Sequence, residues 1–323
     1  MESDQKTFAF QIWNGGMINQ LMGVQFASAT CAYFDREGVM IEGCELSNQS
    51  SYIGDRTSVT LSQLIETSNS ISFVKNKNFD VSEFFKVGTP SKFYIGPSNI
   101  FFANKRRRFF LQDKAKTYFD NTLCNYSIMF SERPVNVDAA IGEVRFKNEY
   151  QDFANHVSCS IGNFNGTHLR FTDFAQQILR LDINDIRVAL EQLGSEQIVV
   201  CTDDPSILEG KQWAQKLINV AQLIKTDFLK DFTSLSIANE ITLGLVSLLI
   251  MGKSSQFIGT PMSTYSNQIH RSINQRKNGL HDWKNIGVKN RPKTGIYSWD
   301  SYKDTPMSTK IWSMDWPESL LMV

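Results

Sequence analysis

The chain has 323 residues, 41% of them hydrophobic and 20% charged, enough for more than one sizeable core, so two domains are expected. Its 33 basic and 33 acidic residues cancel, which excludes a global field drawing the protein onto nucleic acid or an anionic membrane. The five cysteines (Cys31, Cys44, Cys124, Cys159, Cys201) are scattered without a Cys-x-x-Cys pair, which argues against a disulfide framework or a zinc site and for reduced thiols.

The polar, acidic start MESDQKTF lacks the pattern of a signal peptide, so a cytoplasmic location is expected. KTFAFQIWN (6–14) alternates as a strand does. Gly15-Gly16 then punctuates it, and small and apolar residues at helical spacing follow over 18–34. GVMIEG (38–43) predicts a short strand, and VTLSQLIET (59–67) a helical fragment. NKRRRFF (104–110) superficially resembles a nucleic-acid strip, but four charges in a balanced chain are better read as a solvated surface.

The second half alternates more clearly. INDIRVALEQLG (183–194) has helical periodicity and a glycine stop, and QIVVCTDD (197–204) is a β-branched run ending in acid. ITLGLVSLLIMG (241–252) predicts a buried helix, being shorter than the roughly 18 residues that span a bilayer. QFIGT (256–260) is a further strand, and NQIHRSINQ (267–275) a further helix. Alternation of this kind predicts an α/β chain with a doubly wound parallel sheet. The expected division is 1–155, 156–285 and a tail, 286–323, whose WSMDWPESLLMV packs on the domains. The strand NFNGT before His168 is polar, which predicts an exposed or irregular backbone there. Asn-x-Ser/Thr matches occur at Asn48, Asn125 and Asn165.

In an open parallel sheet, ligands sit beyond the carboxyl ends of the strands. Three loops there, THLRFTD, CTDDPS and GTPMSTYS, converge on one edge and carry the candidate chemistry. Arg170 is a permanent cation whose planar fork of donors suits a phosphate. His168 suits two roles, a donor to a phosphate or ribose oxygen or a half-buried structural imidazole. Asp173 stands where TDFAQQILR begins a helix and reads first as an N-cap. Of Asp203 and Asp204, before Pro205-Ser206, one is expected to cap and the other to face the cleft. They form no Asp-x-Asp pair, and no metal is inferred. The hydroxyls of GTPMSTYS, Ser263 and Thr264 among them, lead into a helix and so offer an anion site. Walker A, Gly-x-Ser-x-Gly and Gly-x-Gly-x-x-Gly patterns are absent.

HLRFTD, VVCTDDPSIL and QFIGTPMSTYSNQI resemble, in that order, the three motifs of the GDP-fucose-dependent fucosyltransferases, the superfamily of the protein O-fucosyltransferases and the core and chitooligosaccharide enzymes. WNGGMINQLMGVQFASA is similar to its Gly-Gly-x-x-Asn-Gln loop and helix. The matches span residues 13 to 276 but leave about 40–155 unaligned. The resemblance implies a GT-B-like architecture, two Rossmann-like domains facing across a cleft with the donor held mainly by the second. It implies inverting, metal-independent transfer of L-fucose from GDP-fucose to a hydroxyl of a glycan or glycoconjugate acceptor, with no cofactor and no nucleic-acid partner. By that resemblance Arg170 holds the β-phosphate, His168 lies against the nucleotide, Ser263 and Thr264 bind the phosphates, and Gly15, Gly16 and Asn19 lie at the cleft. Asp203 and Asp204 belong to its donor-side loop.

Departures from the pattern bear on the chemistry. Phe171 follows Arg170 where core-type enzymes have a second arginine. The family's glutamate base falls in AQQI, which leaves Asp173, a carboxylate of the first domain, or no base. The acidic residue that reads guanine falls at Ser247, with Glu240 as a substitute. A transferase for another nucleotide sugar and a non-catalytic nucleotide-sugar or glycan-binding protein are the alternative readings.

Overall fold

The computed structural model describes residues 7–11, 37–42, 59–67, 71–75, 122–125, 144–171, 183–194, 197–260, 263–277 and 284–286, with isolated helical positions at 17, 18, 20, 21, 24 and 28. Its contacts divide the chain into two units, one of 1–50, 56–147 and 318–323 and the other of 51–55 and 148–317. Two parallel sheets make it a mixed α/β protein.

The first unit holds strands β1 (Thr7–Gln11), β2 (Glu37–Glu42), β3 (Ile65–Glu66), β4 (Ile71–Lys75), β5 (Thr122–Asn125) and β6 (Arg145–Phe146). A parallel sheet runs in the order β4-β2-β1-β5, while β3 and β6 form a small antiparallel pair. The chain therefore starts in the middle of the sheet, builds outward to one side, and crosses back to place β5 against β1. After β1 the buried helical positions Ile18, Gln20, Leu21, Val24 and Ser28 recur at the spacing of one helix face. Residues 59–67 are not the helical fragment expected. Leu61–Gln63 forms one 3-10 turn, closed by the capping box of Thr60 and Gln63, and the chain passes at once into β3. The reciprocal cap satisfies a single turn, and β-branched Ile65 continues as strand.

The second unit holds helices α1 (Asn148–Ile161), α2 (Ile183–Glu191), α3 (Val220–Asp227), α4 (Leu229–Thr233), α5 (Glu240–Met251) and α6 (Thr264–Arg276). Its strands are β7 (Asn165–Leu169), β8 (Ile198–Thr202), β9 (Leu217–Asn219), β10 (Phe257–Gly259) and β11 (Lys284–Asn285), all parallel in the order β11-β10-β7-β8-β9. The first strand of the unit is again central, and the strand order reverses between β7 and β10. On one face Leu169, Val200 and Ile258 pack with Ile186, Ala189, Leu190 and Leu193 of α2 and the turn after it. The other face takes α5, capped by Asn239, whose side chain accepts from the Ile241 and Thr242 amides. Leu245, Val246, Leu248, Ile250 and Met251 of α5 are all fully buried, so this helix is apolar around most of its circumference. α1 packs against α5 in turn.

The polar strand before His168 is neither exposed nor irregular. All five residues of β7 are buried, and the strand is paired on both sides. The reason is Asn165, whose amide nitrogen donates to Leu193 O at 2.7 Å and whose carbonyl oxygen accepts from Gln256 N at 3.1 Å. It thereby satisfies two chain ends that converge under the sheet. Gly166 admits the α5 terminus, since a Cβ there would meet Met251 Cε at 2.7 Å and Ser254 Cβ at 3.1 Å. Among the described residues no helix is long and apolar enough to cross a membrane.

Candidate functional site

A reversal of strand order leaves two neighbouring loops diverging to opposite faces, and the gap between them is where open α/β sheets hold ligands. In the second unit that gap opens between the ends of β7 and β10. The segment leaving β7 brings Arg170 and Phe171 there. The segment leaving β10 brings Thr260 and Ser263 and then enters α6, whose first turn presents amide hydrogens unpaired within the helix.

The two segments are tied by side chains. Thr260 Oγ1 donates to His168 O at 2.8 Å and accepts from Arg170 N at 3.0 Å. The next amide, Phe171 N, donates to Asp203 Oδ1 at 2.8 Å, from the end of β8. Successive amides at Arg170 and Phe171 are thus held from opposite neighbouring strands. The Arg170 residue itself is half-buried. Asp204 points its chemistry elsewhere: it caps the 3-10 turn Pro205–Leu208 and accepts from Ser206 N at 3.1 Å and Ser206 Oγ at 2.5 Å.

His168 is 5% exposed, and its Nδ1 lies 2.7 Å from Ser266 Oγ. Ser266 Oγ also accepts from Thr260 N at 2.9 Å. The imidazole stacks at a tilt on Tyr265, with ring centroids 4.6 Å apart. Burial pushes its pKa down to about 3; the Asp203 carboxylate opposes that shift and the Arg170 guanidinium adds to it. The ring is therefore neutral at physiological pH, and the positive charge of this gap resides on Arg170. Beneath it, Tyr265 donates to Gly244 O of α5 at 2.7 Å, and Cys201 Sγ lies 3.5 Å from the same phenol oxygen. Burial raises both groups, Cys201 to about 11 and Tyr265 well above its ordinary value, so neither ionises here. α6 is fastened to α5 by that phenol.

The structure brings His168, Arg170, Asp203 and Ser263 to one edge of the sheet, with Thr264 opening α6. Gly15, Gly16, Asn19 and Asp173 lie outside the described residues, as do the side chain of Thr264 and the tail after 286. Ser247 is buried within α5 and its hydroxyl is used by Leu243 O at 2.7 Å. Glu240, in the first turn of α5, lies 4.0 Å from Lys225. Two connecting residues, Thr260 and Ser266, were not singled out from sequence. Both stand in GTPMSTYS, and the signal that could have found them is the three-residue spacing of the hydroxyls at Thr260, Ser263 and Ser266. Among the described residues no group of three or more His, Cys, Asp or Glu side chains stands together to hold a metal.

No protein-family model and no curated protein sequence matches the chain. Solved structures do. The fucosyltransferase NodZ from Bradyrhizobium is similar over 82% of this chain and 92% of its own, with a TM-score of 0.53 and 12% identity. NodZ alpha-1,6-fucosyltransferase soaked with GDP-fucose is similar over 82% and 92%, with a TM-score of 0.51 and 13% identity. POFUT1 in complex with GDP-fucose is similar over 89% of this chain and 99% of its own, with a TM-score of 0.52 and 14% identity. The chain resembles GDP-fucose-dependent fucosyltransferases in fold over most of its length.

Proposed function

We propose that the chain is a glycosyltransferase that moves L-fucose from GDP-fucose to a hydroxyl of a glycan or glycoconjugate, with inversion and without a metal. In this reading the two units are the Rossmann-like domains of a GT-B architecture. The observation that carries the reading is Arg170, held by its main chain at the reversal point of the second sheet, beside the first turn of α6. A cation and a helix N-terminus in one gap are suited to a diphosphate. The likeness to fucosyltransferases crystallised with GDP-fucose supports fucose as the group moved.

The chemistry follows from charge. The bond between fucose C1 and the β-phosphate oxygen breaks, and its electron pair leaves with GDP. The acceptor oxygen bonds to C1 from the opposite side and gives its proton to a base. Asp173 is proposed as that base. Negative charge grows on the β-phosphate as the bond lengthens, so a fixed Arg170 and the hydroxyls of Ser263 and Thr264 stabilise the transition state more than the bound donor. His168, neutral, lies behind the site and braces α6 through Ser266. Asp203 braces the loop after β7.

One observation favours a different donor base. Ser247, in place of the family's acidic residue, is buried with its hydroxyl satisfied inside its own helix. A nucleotide sugar other than GDP-fucose is the second reading. Calorimetric titration with GDP, UDP, ADP and GDP-fucose, repeated on Arg170→Ala, separates the two. Binding of GDP alone among the free nucleotides, lost in the variant, is the expected result. Preference for UDP or ADP overturns the fucosyl assignment in favour of the second reading, and no binding of any of the four overturns both.

A further inference from the structure

Strands β7 and β10 pair in parallel, Phe257 opposite Gly166 and Ile258 opposite Thr167, with Gly166 N donating to Gln256 O at 2.8 Å. Continued by two residues, this register sets Thr260 opposite Leu169. A parallel ladder would then have the Thr260 amide donate to His168 O and the Thr260 carbonyl accept from Arg170 N. Neither happens. The Thr260 hydroxyl does both, donating to His168 O and accepting from Arg170 N. Its main chain is released for other work: Thr260 N donates to Ser266 Oγ at 2.9 Å, and Thr260 O accepts from Ser263 N at 3.4 Å.

One side chain thus replaces a rung of the sheet while its backbone bends away into the turn that starts α6. Thr260 has a relative exposure of 0%, so water has no access to serve in its place. A hydroxyl, with one donor and two acceptor positions, meets the requirement on a short stem. Valine has the same shape and neither function.

We infer that Thr260 is the positioning residue that sets Arg170 against the start of α6 and thereby fixes the geometry of the diphosphate site. The inference rests on the reading of Arg170 as the phosphate ligand. Thr260 acts through the Arg170 main chain and needs no contact with the donor. Misplacing the partner of a charged group forfeits a charge-assisted hydrogen bond, which weakens binding by roughly 10- to 100-fold and sets the size of the effect sought.

The full chain is prepared with Thr260→Val and with Thr260→Ser. Each is titrated calorimetrically with GDP, and exchange of the Arg170 amide hydrogen is followed without ligand. Thr260→Ser is expected to bind GDP with the affinity of the native chain and to keep Arg170 protected. Thr260→Val is expected to bind roughly 10- to 100-fold more weakly, with faster exchange at Arg170 and unchanged protection at Val199 and Val200 in β8. Native affinity in Thr260→Val overturns the proposal, as does equal weakening in Thr260→Ser. Should Thr260→Val fail to fold, Thr260→Ala carries the same comparison. If the native chain itself does not bind GDP, the donor reading fails separately. Exchange then decides alone: loss of protection at Arg170 in Thr260→Val but not Thr260→Ser sustains the pivot, and unchanged protection overturns it.

Discussion

Replacing Arg170 by alanine removes one permanent cation while leaving its main-chain N–H, and the bond to Thr260, in place. Turnover in Arg170→Ala is therefore expected to fall by the equivalent of about 3 kcal/mol in the barrier, with thermal stability close to native. A variant that retains native turnover would remove Arg170 from the mechanism. His168 makes a different kind of prediction, because its pKa in the folded chain, about 3, lies below the ordinary 6.5. Between those values the unfolded chain binds a proton that the folded chain does not. Stability is therefore fully present above pH 6.5 and falls as the pH drops toward 3, by at most ~1.4 kcal/mol per pH unit from this group. Urea unfolding followed from pH 7 to pH 4 should show that slope, and His168→Asn, which keeps a polar group near Ser266, should flatten it. An unchanged slope in the variant would mean that His168 titrates normally. At this scale the sequence discloses the ends of the network better than its middle. The cation in HLR and the carboxylates in CTDD declare their chemistry by residue type. Thr260 and Ser266 do not, because a hydroxyl takes its meaning from partners 90 and 98 residues away.

Elements carry their own consequences. The Asn239 cap of α5 is buried and closes a reciprocal box with Thr242, so Asn239→Ala should cost about 1 kcal/mol in chemical denaturation. A loss too small to measure would show that packing alone holds that end. Gly166→Ala should cost about 1–3 kcal/mol through overpacking against Met251 and Ser254, and Met251→Ala in the same chain should relieve part of the clash. Periodicity revealed many of the elements: β1, β2, β8, β10, α2, α5 and α6 all fall where alternation or helical spacing expects them, whereas the longest helix, α1, was not expected. Where local chemistry competes with period, the reading fails. VTLSQLIET carries Leu61, Leu64 and Ile65 at helical spacing, yet its cap consumes one turn and the chain leaves as strand. NFNGT looks too polar for a central strand, yet its asparagine is polar because two chain ends beneath the sheet need a donor and an acceptor.

For the whole molecule, the alternation of strands and helices makes an α/β class legible. Strand order is not, because pairing depends on contacts between distant segments. The reversal between β7 and β10 is what brings the described parts of three polar loops to one candidate site. A ligand held there binds only the folded chain, so GDP at 100 times its dissociation constant should raise unfolding free energy by about 2.7 kcal/mol. Thermal shift against GDP concentration measures this, and a midpoint indifferent to GDP would oppose the donor assignment. The strand at the centre of that sheet also constrains how the protein can be made. Asn165-Gly166-Thr167 is an acceptor sequence for N-linked sugar, and the nitrogen that would carry the sugar is the one donated to Leu193 O inside the fold. A glycan at Asn165 and a closed β7 exclude each other. Passage through a glycosylating compartment would thus set the oligosaccharide-attaching machinery in competition with folding for a single amide.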